Sequence, residues 1–410
     1  MNRNRSTIQL KPPGNWINDP NGFIYYKGQY HLFYQHNPKA PVWDTMHWGH
    51  AVSDDLITWE HKGIALYPSC VSDRDGCYSG SAVEKDGILH LFYTGVQFGK
   101  RLGDVTQAAQ LHIESEDGFT FDNDHGKTVA VPPLTDVQQG DYRDTRDPKV
   151  WKEGDGYTMI IGSTEKLQRG MLAFFRSPDL KSWAWKRSVK GDPSMGFMWE
   201  CPDLFRVNGR DVLLVSMMGL LKDGLENENQ TVCMMPEYSP RDFSIRLPEE
   251  YTLFDAGMDL YAPQSTLDAE GRRIVTAWAR MPEPVDGEWC GILCAPRVVE
   301  VSGNHVYFRM HPDIREAFLQ KRIPQEEKEY LRFHLKNGES ADIHGFRLTR
   351  KEDILYADRS QVYVKKPDAR MYTHTGTIRE GDLLEVLVDP NLIEVYVNDG
   401  EYVLTNVVYR

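Results

Sequence analysis

The stretch "SDDLITW" at Ser53 returns as "SEDGFTF" at Ser115, "SPDLKSW" at Ser177 and "SPRDFSI" at Ser239, always 62 residues on. Each copy is a serine, a polar turn, and an aromatic or aliphatic residue six places later. A constant period of this length marks a repeated supersecondary unit that buries its apolar face only against its neighbours. A second series interleaves with the first. "YYKGQYHLFYQ" from Tyr25, "VEKDGILHLFYTG" from Val83, "VWKEGDGYTMIIGS" from Val150, "FRVNGRDVLLVSM" from Phe205 and "LDAEGRRIVTAWA" from Leu267 each read strand, turn with glycine, strand. Glycine supplies the positive φ of a tight hairpin, and the flanks carry the β-branched and aromatic residues that strands favour. Five such units predict an all-β chain whose residues 1–318 form a five-bladed β-propeller, with about four antiparallel strands per blade. A sandwich with accidental spacing does not account for four copies in register.

After the fifth unit, "HPDIREAFLQKRIPQEEKEY" predicts a short helix and a linker. β patterning then resumes. Leu384, Val386 and Val388 alternate in one run and Ile393, Val395 and Val397 in the next, joined across Asp389-Pro390-Asn391, and "NDGE" marks a further tight turn. Residues 325–410 are therefore expected to form a small C-terminal β-sandwich. It carries no obvious reactive cluster, so a structural role is expected of it.

Bulk properties narrow the partners. The net charge is -13, which argues against nucleic acid or an anionic membrane surface. No apolar run approaches the roughly 18 residues that span a bilayer. The N-terminal "MNRNRSTIQLKPPGNW" lacks the apolar core of a signal peptide. Of six cysteines, Cys70 and Cys77 could pair, as could Cys290 and Cys294, but no zinc-type CxxC pairs occur. They read mostly as reduced thiols of a cytoplasmic protein.

The ends of the first strands carry the chemistry. In a propeller these strands line the central channel, so residues just ahead of each hairpin converge at one face. Unit one has Asn18 and Asp19 there. Unit two has Tyr78 and Ser79, unit three Arg146 and Asp147, unit four Glu200, unit five Asp259 and Tyr261. Acids before strands are common turn formers. Three of them at equivalent entrances, in "NDPNG", "RDPKV" and "ECPDLF", form the pattern that glycoside hydrolysis needs. One carboxylate attacks or steadies a cationic sugar carbon, and a second, protonated carboxyl donates to the leaving oxygen. Crowding of negative charge lifts one pKa towards the working pH. In "HWGH", His47 and His50 are three apart, a spacing that sends strand side chains to opposite faces, so no shared metal is expected.

"WINDPNG", "FYQHNP", "WGHAVSDDLITW", "YSGSAV", "RDPKV", "ECPDLF" and "DLYAPQ", in this order, resemble the family 32 glycoside hydrolases, which include invertases, sucrose-6-phosphate hydrolases and fructan hydrolases. The ending "VYVNDGEYVLT" resembles that family's C-terminal sandwich. The resemblance implies a retaining β-fructofuranosidase that needs no cofactor. Asp19 would be the nucleophile, Glu200 the general acid and then base, and Asp147 a binder of fructose hydroxyls that stabilises the transition state. Arg146 would orient the site and keep Asp147 ionised. Asn18 and Gln35 would bond furanose hydroxyls; Trp43, Tyr78 and Ser79 would line the fructose pocket; Asp259 and Trp278 would lie towards the pocket or its rim. The chain departs from the family at Ile17, where methionine is common, and at Tyr78, where phenylalanine is common. Its C-terminal part is shorter than usual.

The expected partner is a small β-fructoside, sucrose or its 6-phosphate, handled by a monomer or homodimer. Lys100, Arg101 and Arg169 are basic residues that could meet a phosphate. The alternatives are an exo-fructanase or short fructo-oligosaccharide hydrolase and, in a different class, a non-catalytic sugar-binding propeller.

Overall fold

In a computed structural model, which describes residues 4–221, 228–323, 328–366, 369–379 and 381–410, the strands form five blades around an axis, followed by two facing sheets. Blade I orders Asn15–Tyr26, Gln29–Asn37, His47–Ser53 and Thr58–Leu66 from the axis outward, with Arg5–Thr7 at its edge. Blade II has Gly76–Lys85, Ile88–Phe98, Val105–Ser115 and Thr128–Val131. Blade III has Thr145–Glu153, Gly156–Glu165, Arg169–Ser177 and Ala184–Lys190. Blade IV has Met198–Val207, Arg210–Leu220, Glu228–Met234 and Thr252–Leu253, and blade V Leu260–Leu267, Arg273–Ala279, Arg297–Ser302 and His305–Met310. The innermost strands touch in cyclic order, and the ring closes where Asn15 and Trp16 pair in parallel with Trp289 and Cys290 and Leu10 bridges Leu293.

Both sequence repeats have a local cause. Ser53, Ser115 and Ser177 each end a third strand and hydrogen-bond the aspartate two places on. Asp55, Asp117 and Asp179 in turn accept from the amides two and three residues later. Leu56, Gly118 and Leu180 all take positive φ at the same step, so one side-chain-stabilised turn recurs in three blades. The fourth copy, at Ser239, falls in an added hairpin of Glu237–Ser239 with Ser244–Arg246. The inner hairpins turn on Lys27-Gly28, Asp86-Gly87 and Asn208-Gly209, each with both residues at positive φ, the conformation that matches strand twist.

The propeller packs blade against blade. Its apolar side chains fill the seams between blades: Phe33 and Trp48 with Leu91 and Tyr93, Phe92 and Val150 with Phe175, and Phe174 with Trp199 and Leu213. A helix, Pro312–Leu319, follows blade V, capped by the His311 side chain; part of the expected linker lies outside the described residues. The sandwich faces Glu329–His334, Leu383–Val388, Leu392–Val397 and Tyr402–Val407 against Ser340–Ile343, Phe346–Lys351, Ile354–Asp358 and Tyr372–His374. Leu384, Val386, Val388, Ile393, Val395 and Val397 point into its interior. The opposite face, with Leu387, Leu392 and Tyr396, packs on blades IV and V.

That second face buries charge. Arg297, 0% exposed, bonds Asp255 at 2.8 Å and Glu394 at 3.0 Å between the rings of Phe254 and Tyr396. Removing the guanidinium strands two carboxylates where water does not reach, a loss of about 3–5 kcal/mol. Arg297→Met is therefore expected to lower the urea midpoint by that measure; an unchanged midpoint would show that the pair does not hold the sandwich.

Candidate active site

Every innermost strand breaks register at the corresponding place. The jumps lie between Ile17 and Pro20, Cys77 and Gly80, Arg146 and Lys149, Glu200 and Asp203, and Tyr261 and Gln264. Each is a β-bulge, two residues opposite one, which bends the strand and re-aims its side chains. In three of them the residue before proline is left-handed: Asp147 at φ 68°, Cys201 at 46° and Ala262 at 52°. Such backbone is strained for non-glycine residues and persists only when its surroundings hold it. The preceding blade does so. The amides of Asp147, Cys201 and Ala262 donate to Thr94 Oγ1, Asp147 Oδ2 and Ser216 Oγ at 2.9, 2.9 and 3.0 Å. Gly162 lets blades III and IV meet closely, since a Cβ there would stand 2.1 Å from the Trp199 carbonyl.

The bulges open on a cavity of about 510 Å³. Asn18, Asp19, Gln35, Trp43, Tyr78, Ser79, Arg146, Asp147, Glu200 and Trp278 all line it. The three acids are not strictly equivalent, as the strand-entrance pattern had them: Glu200 precedes its bulge, Asp147 is the first bulged residue of its strand, and Asp19 the second. Asp259 does not reach the cavity. It is buried, and its carboxylate is held by Arg359 and the Val407 amide of the sandwich.

Asp19 accepts from Ser79 Oγ at 2.5 Å and from Asn18 Nδ2 at 3.1 Å. Asn18 is itself oriented by the Trp16 indole at 2.7 Å. Glu200 receives Arg146 Nε at 2.9 Å on one oxygen and the Tyr261 hydroxyl at 2.6 Å on the other. Arg146 also bonds Asp144 at 3.0 Å. The Cys201 thiol, held protonated by burial and the surrounding carboxylates, lies 3.6 Å from Asp19 Oδ2 and 3.5 Å from Asp147 Oδ2. Gln35 donates to the Cys77 carbonyl at 2.8 Å, while Trp43 and Tyr78 meet edge to face at 6.2 Å.

Burial pushes the Asp19 carboxyl up to about 6, with the charge of Glu200 adding to it, against the hydrogen bonds of Ser79, Asn18 and Cys201. Burial and then Glu200 push Asp147 up to about 7. The expectation that Arg146 keeps Asp147 ionised is therefore corrected. Its charge acts in that direction but is committed by hydrogen bonds to Glu200 and Asp144, and it does not offset desolvation. Tyr261, which the sequence analysis placed at the entrance but not in the site, fixes Glu200. The signal was available, because Arg146, Glu200 and Tyr261 occupy the same opening position of successive bulges. Asp144, Arg143, Leu167 and the segment Gly103, Asp104 and Val105 complete the lining; they come from loops and strand ends that no repeat marks. His50 contacts His31, 3.1 Å away, whereas His47 bonds the Thr45 carbonyl.

These carboxyls cost stability. Asp19 titrates near 3.8 when unfolded and near 6 when folded. Between those values the folded state binds more protons, so stability falls as pH rises through the interval. Asp19→Asn removes the ionisation and is expected to stabilise the protein near pH 7.5 by about 1–3 kcal/mol, allowing for water in the cavity. The gain should vanish near about pH 4, where Asp19 is protonated in the folded protein. Urea titrations at the two pH values check this; no gain at the higher value contradicts it.

Residues 9–312 match the glycosyl hydrolases family 32 N-terminal domain and residues 319–410 the family's C-terminal domain. The chain is 33% identical over 435 residues to a sucrose-6-phosphate hydrolase of Escherichia coli, covering 98% of this chain and 88% of that protein. It is 33% identical over 448 residues to a raffinose invertase of Escherichia coli, covering 98% and 89%. Among solved structures it is similar to a family 32 β-fructofuranosidase of Bombyx mori, with a TM-score of 0.82, 27% identity, and coverage of 100% of this chain and 90% of that one. The five blades, the sandwich and the two family matches together establish that this chain belongs to glycosyl hydrolase family 32 and is a glycoside hydrolase.

Proposed function

We propose that the protein is a retaining β-fructofuranosidase that hydrolyses sucrose or sucrose 6-phosphate. The observation that carries this reading is the meeting of Asp19, Asp147 and Glu200, from blades I, III and IV, in one cavity with Trp43, Tyr78 and Trp278. Its similarity to a sucrose-6-phosphate hydrolase and to a raffinose invertase supports the substrate class. All lining residues lie within 1–318, which agrees with a catalytic unit there and a supporting unit at 325–410. Unpaired thiols at all six cysteines fit a cytoplasmic setting.

In this mechanism Asp19 attacks the anomeric carbon of fructose while Glu200 protonates the glycosidic oxygen. The carbon–oxygen bond breaks, the glucose portion leaves, and fructose remains esterified to Asp19. Glu200, now a carboxylate, takes a proton from water, which displaces Asp19 with overall retention. Arg146 and Tyr261 hold Glu200 for both proton transfers. Asp147 sits where it can bind sugar hydroxyls. Arg143 lines the outer part of the cavity and is the basic residue best placed for a substrate phosphate, whereas Arg169 pairs with Glu165 at 2.6 Å.

Asp19→Ala and Glu200→Ala are each expected to reduce turnover by about 10³-fold or more; near-normal activity in either contradicts the roles. Because Asp19 must be ionised to attack, kcat/KM should fall as pH drops through about 6. Ser79→Ala removes a bond that favours the carboxylate, so this acidic limb should move to higher pH. Comparing sucrose, sucrose 6-phosphate, kestose and inulin tests the substrate. Preference for inulin would favour the exo-fructanase reading, and binding without fructose release the non-catalytic one.

A further inference from the structure

Blades I and II carry the same pair of histidines in the same place. In blade I, Phe33 lies opposite His50 and His31 opposite Val52; in blade II, Phe92 lies opposite His112 and His90 opposite Glu114. His31 Nδ1 is 3.1 Å from His50 Nε2, and His90 Nδ1 is 2.8 Å from His112 Nε2. The surroundings differ. The blade I pair is sealed: Val52 is buried, and the Phe119 ring lies 5.2 Å and 5.6 Å from the two imidazoles. In blade II, Glu114 stands where Val52 does, and the position one 62-residue period after Phe119 is Lys181 rather than an aromatic residue. Burial alone explains the first pair. It does not explain a carboxylate set beside the second.

We propose that His90, His112 and Glu114 form a metal site for Zn²⁺, separate from the catalytic cavity. Their ligand atoms all lie within 4.8 Å of one another, with Glu114 Oε2 3.6 Å from His90 Nδ1. His112 and Glu114 are two apart on one strand and share a face, and His90 faces Glu114 across the ladder. Two ligands at that spacing plus one from the neighbouring strand converge on a point above the sheet. Two imidazoles and a carboxylate suit zinc, and a solvent molecule can take the fourth position because the Glu114 side chain is 49% exposed. A neutral imidazole carries one proton and one lone pair, so each ring can offer one nitrogen while the other keeps its proton. Thr128 Oγ1, 3.4 Å from His112 Nδ1, can accept that proton while Nε2 binds the ion. Binding requires the one proton between the facing nitrogens to move through solvent to His90 Nε2, which leaves both imidazoles neutral. The site would tie the second and third strands of blade II, on the seam with blade III.

The test is a Zn²⁺ titration of chelator-treated protein by calorimetry, wild type against Glu114→Gln. Glu114 is exposed and makes no contact with the catalytic cavity, so the variant should fold and turn over sucrose normally. Wild type should take up one equivalent more than the variant, or bind that equivalent at least 10-fold more tightly. Co²⁺ should give it a visible absorption band of a tetrahedral site that the variant lacks. Equal stoichiometry and affinity in the two proteins, or no saturable uptake by wild type, overturns the proposal. Circular dichroism of both proteins separates loss of the ligand from loss of the fold.

Discussion

The left-handed residue before a proline, repeated in three inner strands, is the constraint on which the site depends. An extended strand would send alternate side chains to opposite sides. The bulge adds one residue, and around it Arg146, Asp147, Glu200 and Tyr261 come to line the cavity. No blade can hold that conformation alone, because the freed amide needs an acceptor and finds it on the blade before. The site is thus a property of the ring. The ring closes at Asn15 and Trp16, on the same strand that carries Asp19.

Electrostatics then sets the terms. Asp19, Asp147 and Glu200 share a cavity with Arg143 and Arg146, and the Arg146 guanidinium serves Glu200 and Asp144. Asp19 and Asp147 are left to neutral donors, which is why burial lifts both towards neutrality. The sandwich contributes from outside. Arg359 and the Val407 amide grip Asp259, two residues before Tyr261, whose hydroxyl fixes Glu200. A carboxylate expected at the pocket is instead the tie between the second unit and the strand that positions the acid.

Legibility followed locality. The Ser-x-Asp turn and the Gly hairpins were readable because each is made within a few residues, and the 62-residue interval counted the blades. The acids were readable because they stand one or two residues before Pro in short motifs. Asp259 was misplaced because its partner Arg359 is 100 residues away. Proximity of Arg146 to Asp147 in sequence does not say which carboxylates its nitrogens reach, and they bond Glu200 and Asp144. Alternation in the last strands identified the inner face of the sandwich correctly. By itself it does not place Glu385 and Glu394, which lie between the inner-face residues and are buried, paired with Arg315 and Arg297.

Periodicity and turn chemistry were enough to settle the all-β class and the number of blades, since these rest on short-range geometry repeated along the chain; the family entered only as a resemblance of motifs. Which side of a strand each carboxyl faces, which cation it meets and how far its pKa moves were decided only on folding. A bulge reverses side-chain direction, and desolvation depends on every blade packed around it; neither is visible in the order of residues.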